Sequence, residues 1–164
     1  MLAFADRLDI INLAVARVVR WLAILMVPMQ FGIVLGRYVF GVNSIALQES
    51  VLYMHATFFM LGAGYTLLVD GHVRVDVFYA KLSDAAKRRI DILGNLIFLQ
   101  PAMVALGYWS WPTVRNSWAI PEGPISVGGI EAVFLLKSLI PLFCVLILLQ
   151  SVACLLRLVG HRPI

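Results

Sequence analysis

Apolar and polar residues fall in long blocks along this chain. Four apolar blocks, at about residues 21–38, 45–69, 90–111 and 130–156, each approach or exceed the ~20 residues an α-helix needs to cross a bilayer. The one long polar interruption runs from Val69 to Arg89, VDGHVRVDVFYAKLSDAAKRR. Within it Val73, Val75 and Val77 alternate with Arg74 and Asp76, which predicts a short extended elbow. Phe78 to Arg89 then follows a helical period. Phe78, Leu82 and Ala86 share one face, and Lys81, Asp84, Lys87 and Arg88 turn outward. That pattern predicts a basic amphipathic helix seated on lipid headgroups. Residues 1–20 are also amphipathic, with Leu2, Phe4, Leu8 and Ile11 set among Asp6, Arg7, Asp9, Arg17 and Arg20. They read as an interfacial helix feeding the first span. The apolar run after Arg20 is too long for a signal peptide and no small-x-small site follows, so an uncleaved anchor is expected.

The expected fold is therefore an all-α integral membrane protein: one membrane domain, 1–164, with four transmembrane helices and an interfacial amphipathic segment at 70–89 between spans 2 and 3. Pro28, Pro101 and Pro141 lie inside spans and free the carbonyls of Ile24, Ile97 and Lys137. Gly32 and Gly36 have the small-x-x-x-small spacing that lets helices approach closely. Residues 112–129 carry three prolines and three glycines, which predicts a loop ordered by turns. No internal repeat marks an inverted-repeat transporter core.

Composition supports the membrane reading. Hydrophobic residues make up 62% and charged residues 13%, about half the share a soluble surface needs, and the mean hydropathy is +0.92. The net charge of +4 fits loops biased toward Lys and Arg, and no basic run interleaved with aromatics outside Val69–Arg89 points to nucleic acid. Cys144 and Cys154 are ten residues apart, so roughly 15 Å along a helix, too far for a disulfide. The sequence has no Cys-x-x-Cys pair, nucleotide-binding loop, nucleophile–base pairing or metal-ligand cluster. No catalytic, cofactor or metal site is expected, and the chain does not read as an enzyme.

Charge sets the expected orientation. With four spans the two ends share a side. Arg7, Arg17 and Arg20, the five basic residues of the central stretch, and Arg157 and Arg162 all fall there, against Arg37 and Arg115 on the other. The positive-inside rule predicts cytoplasmic termini, N-in and C-in, and a cytoplasmic central stretch. Tyr38, Tyr108, Trp109, Trp111 and Trp118 gather at the outer ends, as an aromatic belt would.

Two charges lie inside spans. Glu49 is about 6 Å below the outer end of span 2, and Lys137 about 10 Å below that of span 4. Each alone costs about 2.5–3.5 kcal/mol to insert. Their depths predict a Glu49–Lys137 pair, or a network with Gln48 and Arg37. His55, near mid-membrane, is expected to hydrogen-bond between helices. Arg37 and Arg115 are the fixed positive charges expected on the outer face and are candidate docking residues.

The order GRYVFGVNSIALQES, then GAGYTLLVDGHVRVDVFYAKL, then LLKSLIP resembles the small membrane subunit (DctQ-like) of tripartite ATP-independent periplasmic (TRAP) transporters, over about residues 20–156. The resemblance rests on Arg37, Tyr38, Phe40 and Glu49; on Gly62, Ala63, His72 and Asp76; and on Lys137, Ile140 and Pro141. Ile45-Ala46-Leu47 stands where the family commonly has a Trp shortly before the acidic residue. The resemblance implies a scaffold in the bacterial inner membrane that binds no substrate itself. It would brace a large DctM-like subunit that carries an organic acid with Na⁺, and help dock a periplasmic binding protein. It also makes His72, Arg74 and Asp76 a cytoplasmic family element. Alternative readings are the small four-span subunit of a tripartite tricarboxylate transporter, which matches these motifs less well, and a membrane cytochrome or thiol redox enzyme, which lacks the paired histidines or cysteines it would need.

Overall fold

A computed structural model of the chain describes residues 2–72, 76–120 and 122–160. The described elements are helical. In chain order they are α1 (Leu2–Tyr38), α2 (Ile45–Leu68), the single turn α3 (Asp76–Tyr79), α4 (Asp84–Leu93), a π-helical segment (Gly94–Leu99), α5 (Gln100–Ala119) and α6 (Val133–Val159). Four helical stretches are long and apolar enough to cross a membrane, with α4, the π segment and α5 forming one of them, Asp84–Ala119. The four-span, all-α expectation is met.

The ends of the spans differ from the sequence reading, each for a physical reason. The segment before Arg20 is not a separate interfacial helix, because α1 runs unbroken through Arg20 and Pro28. At 37 residues it is about 55 Å long, well beyond a ~30 Å hydrocarbon layer. Ala5 and Leu8 bury themselves against Ala153 of α6, so tertiary packing carries the helix past the point where its apolar block begins. The amphipathic segment 78–89 does not form one helix. It breaks after α3, and a new helix starts at Asp84 and continues into the third span. The basic residues Lys87, Arg88 and Arg89 thus stand at the foot of a span. The expected loop at 112–129 starts later, since α5 continues through Pro112 to Ala119. Val114 and Ser117 are buried there, and Trp118 Nε1 donates to Ser138 Oγ at 2.9 Å, which holds the last turns of α5 to α6. The π segment ends at Leu99, two residues before Pro101, whose missing N–H removes one rung of the helical ladder.

The core lies around α6. Of its most apolar stretch 44% is buried, against 6–11% in the other three spans. α6 packs on α1 and α2 and also on α5, and α1 packs on α2. The four spans therefore do not close into a symmetric bundle. α5 is held mainly by α6, and large apolar side chains on every span stay exposed, among them Val27, Phe31, Phe59, Phe98 and Trp109. A Cβ on Gly32 would meet nothing within 4 Å and one on Gly36 only the Val42 carbonyl, so among the described residues no helix packs on that stripe. Cys144 and Cys154 are free and buried.

Polar side chains inside the fold sit where helices meet. Asn12 is fully buried; its Nδ2 donates to Gln150 Oε1 at 3.0 Å and to the Leu146 carbonyl at 3.4 Å. Gln150 Nε2 donates to Asp9 Oδ1 at 3.0 Å, and Arg157 bonds both Asp9 and Asp6. This chain of contacts ties the start of α1 to the end of α6. A second knot joins the third span to α6: Ser151 Oγ donates to Asn95 Oδ1 at 2.6 Å, and Gln100 Nε2 donates to Ser151 Oγ at 3.0 Å.

Candidate functional site

The loop end of the molecule, where the α1–α2 turn and the α5–α6 connection lie together, holds most of the residues the sequence singled out. Ser44 caps α2 from an extended conformation, its Oγ accepting from Leu47 N–H at 3.4 Å. This cap starts α2 early enough to place Glu49 in its second turn. Glu49 is only 5% exposed. Its Oε1 accepts the Ser126 N–H at 2.8 Å and its Oε2 accepts the Ile130 N–H at 2.7 Å. A carboxylate from span 2 thus clasps the loop before α6 by two backbone donors, a charge-assisted arrangement stronger than neutral hydrogen bonds. Gly128 takes φ +83°, a conformation that favours glycine, and a Cβ on Gly129 would overlap the Glu49 carboxylate. These two glycines let the loop backbone wrap the acid.

The expected Glu49–Lys137 pair is not formed. Lys137 Nζ instead reaches both oxygens of Glu122, at 2.5 and 2.6 Å. The reason is geometric: backbone N–H groups already take both Glu49 oxygens, while Glu122 hangs from the loop over Lys137. Gln48 does not join a network with Glu49; its Nε2 donates to Asn43 Oδ1 at 2.7 Å within the α1–α2 turn. Arg37 and Arg115 are exposed, and among the described residues neither makes an ion pair. Among the described residues His55 makes no hydrogen bond to another helix. It is exposed and lies against Phe59, with ring centroids 4.6 Å apart. His72 is exposed after the end of α2. Asp76 opens α3, and Arg74 lies outside the described residues.

Three contributors escaped the sequence reading. Glu122 was recoverable as one of the two acids in the loop that faces Lys137. Gly128-Gly129 was a signal for backbone wrapped around an anion. The Asp9–Asn12–Gln150–Arg157 contacts were foreshadowed by polar residues at helical spacing, Gln150, Cys154 and Arg157 in α6 and Asp6, Asp9 and Asn12 in α1.

The hydrogen bond from Lys137, chiefly, holds the Glu122 carboxyl below its ordinary value of 4.5. A carboxyl lowered in the folded state contributes stability that is complete above the ordinary value and disappears as pH falls through the lowered one. Melting of the purified protein across acid pH should show this loss below about pH 4.5, and Glu122→Gln should reduce it. An acid limb unchanged by the substitution would count against the pairing.

Four spanning stretches, polar contacts spent on joining helices and clasping a loop, and broad exposed apolar faces define a small multi-pass membrane subunit. Residues 24–161 match the family model described as tripartite ATP-independent periplasmic transporters, DctQ component. The match covers more than four-fifths of the chain, and the chain belongs to this family. A comparison with curated proteins finds no match. The family is a component of a transporter and not an enzyme.

Proposed function

We propose that the chain is the scaffold subunit of an Na⁺-coupled TRAP transporter in the bacterial inner membrane. Its termini face the cytoplasm, and it braces a large DctM-like subunit and helps a periplasmic binding protein dock to deliver an organic acid. The observation that carries this reading is the open packing around α6, which leaves apolar faces on α1, α2 and α5 without a helix of this chain against them. Exposed faces of that extent call for a protein partner or lipid. The interior holds polar knots between helices and, among the described residues, no run of titratable groups across the membrane, which suits a part that stays still while its partner moves. Lys81, Lys87, Arg88 and Arg89 would rest on anionic headgroups at the cytoplasmic surface.

In this arrangement Arg37 and Arg115 face the periplasm and steer the binding protein. The double reversal Arg37→Glu/Arg115→Glu should lower uptake about tenfold at low salt while the membrane complex still assembles. Uptake by membrane vesicles, measured with and without the substitutions, tests this. Unchanged uptake would remove these residues from docking. Vesicles holding the large subunit and the binding protein but not this chain should take up no substrate; full uptake in its absence would refute the scaffold role.

A further inference from the structure

α2 runs from Ile45 to Leu68, which puts His55 about 15 Å from one end of the helix and about 20 Å from the other. That is near mid-membrane whichever way the chain is oriented. His55 is exposed. Leu52, three residues before it, and Phe59, four after it, are exposed as well, so the three share one outward face of the helix. Gly64 is nine residues on from His55 and therefore on the opposite side of α2. That opposite side is the packed one: Gly64 is buried, and a Cβ there would meet Asn12 of α1 and Leu146 of α6. Three hydroxyls of α2 are satisfied by its own backbone. Ser50, Thr57 and Thr66 donate to the carbonyls of Ala46, Tyr53 and Gly62, one turn before each. Among the described residues His55 makes no hydrogen bond and no ion pair. Its neighbour is the Phe59 ring, 4.6 Å away between centroids, which supplies neither imidazole nitrogen with a hydrogen bond.

We infer that a transmembrane helix of the large membrane subunit packs on the face of α2 that carries Leu52, His55 and Phe59, and that this helix presents a polar side chain at mid-membrane depth to hydrogen-bond His55. The histidine selects the occupant. Acyl chains would cover Leu52 and Phe59 as well as protein does. At this depth they offer an imidazole nothing to bond, and an unsatisfied polar group in hydrocarbon is costly. Ionisable side chains inside spans almost always face protein or a water-filled cavity, not lipid. The helices of this chain do not meet the need, because α2 packs on α1 and α6 and the side that meets them, at Gly64, lies opposite His55. A neutral imidazole carries one donor and one acceptor, so a hydroxyl, a carboxamide or a carboxylate on the facing helix would serve. The inference rests on the scaffold reading, from which it takes the partner, and adds the face and the group that join the two chains.

The test uses the full chain produced with its large subunit in native membranes. With p-benzoylphenylalanine in place of Leu52 or of Phe59, irradiation should yield an adduct with the large subunit, identified by its peptides. His55→Leu should raise the dissociation constant of the complex in mild detergent about threefold to twentyfold, the range for one hydrogen bond between membrane helices. His55→Asn, which keeps a donor and an acceptor, should recover most of that loss. Adducts only with lipid, or with a second copy of this chain, would overturn the inference while copurification of the large subunit left the scaffold reading standing. An unchanged dissociation constant in His55→Leu would also overturn it. A wild type that brings down no large subunit would overturn both readings together.

Discussion

Gly64→Ala is expected to loosen the junction of α1, α2 and α6. The added Cβ would overlap Asn12 Oδ1, lie 2.9 Å from Asn12 Cγ and touch Leu146 Cβ at 3.4 Å. Asn12 has no free direction to move, because it is fully buried and its Nδ2 is held by Gln150 and the Leu146 carbonyl. Forcing a methyl into such a site costs about 1–3 kcal/mol. Alanine's better helix propensity returns at most about 1 kcal/mol, so the clash wins. Asn12→Ala alone should cost about 0.6–1.7 kcal/mol, the range for hydrogen bonds between membrane helices. The double variant should be more stable than Gly64→Ala, because removing the Asn12 amide removes the clash. Thermal unfolding of the four proteins in one detergent measures this coupling. Additive losses would show that the two residues do not compete for the same space.

Glu49→Ala should free the loop before α6. Ser126 and Ile130 would lose the acceptor for their N–H groups, and hydrogen exchange at those two amides should quicken by about tenfold or more. Glu49→Gln keeps the size but presents one oxygen and one NH₂ to two donors, so it should protect at most one of the amides. Gly129→Ala attacks the same clasp from the loop side, since its Cβ would take the place of the carboxylate. The two single variants should give the same exchange pattern, and combining them should add little. In the proposed transporter all three should also lower uptake, because the loop stands at the end assigned to the periplasm. Unaltered protection at Ser126 and Ile130 in Glu49→Ala would contradict the clasp.

The spans were legible because bilayer thickness and hydropathy fix their number from local sequence alone. Their ends were not. Pro112 reads as a helix stop, yet Val114 and Ser117 bury against α6 and the helix goes on. Residues 1–20 read as interfacial by their amphipathic pattern, yet Asp6 and Asp9 find Arg157, 148 or more residues away, and Asn12 finds Gln150. In both cases a distant partner decides the outcome. The polar groups of the loop end show the same limit. Depth along a span correctly marked Glu49 and Lys137 as charges needing partners. Depth could not tell that Glu49 takes backbone N–H groups from a glycine-bearing loop, or that Glu122 descends to meet Lys137. His55 failed the other way: its place near mid-membrane suggested a hydrogen bond between helices, whereas His55 and its neighbour Phe59 are exposed.

The central claim is that this chain is built to be completed by another membrane protein, and isolation from native membranes tests it most directly. Tagged at its C-terminus and extracted in a mild detergent, the chain should copurify with one large multi-span membrane subunit in fixed stoichiometry, and its exposed apolar faces should gain protection in that complex. Recovery of a stable, monodisperse single chain with no membrane partner would contradict the claim.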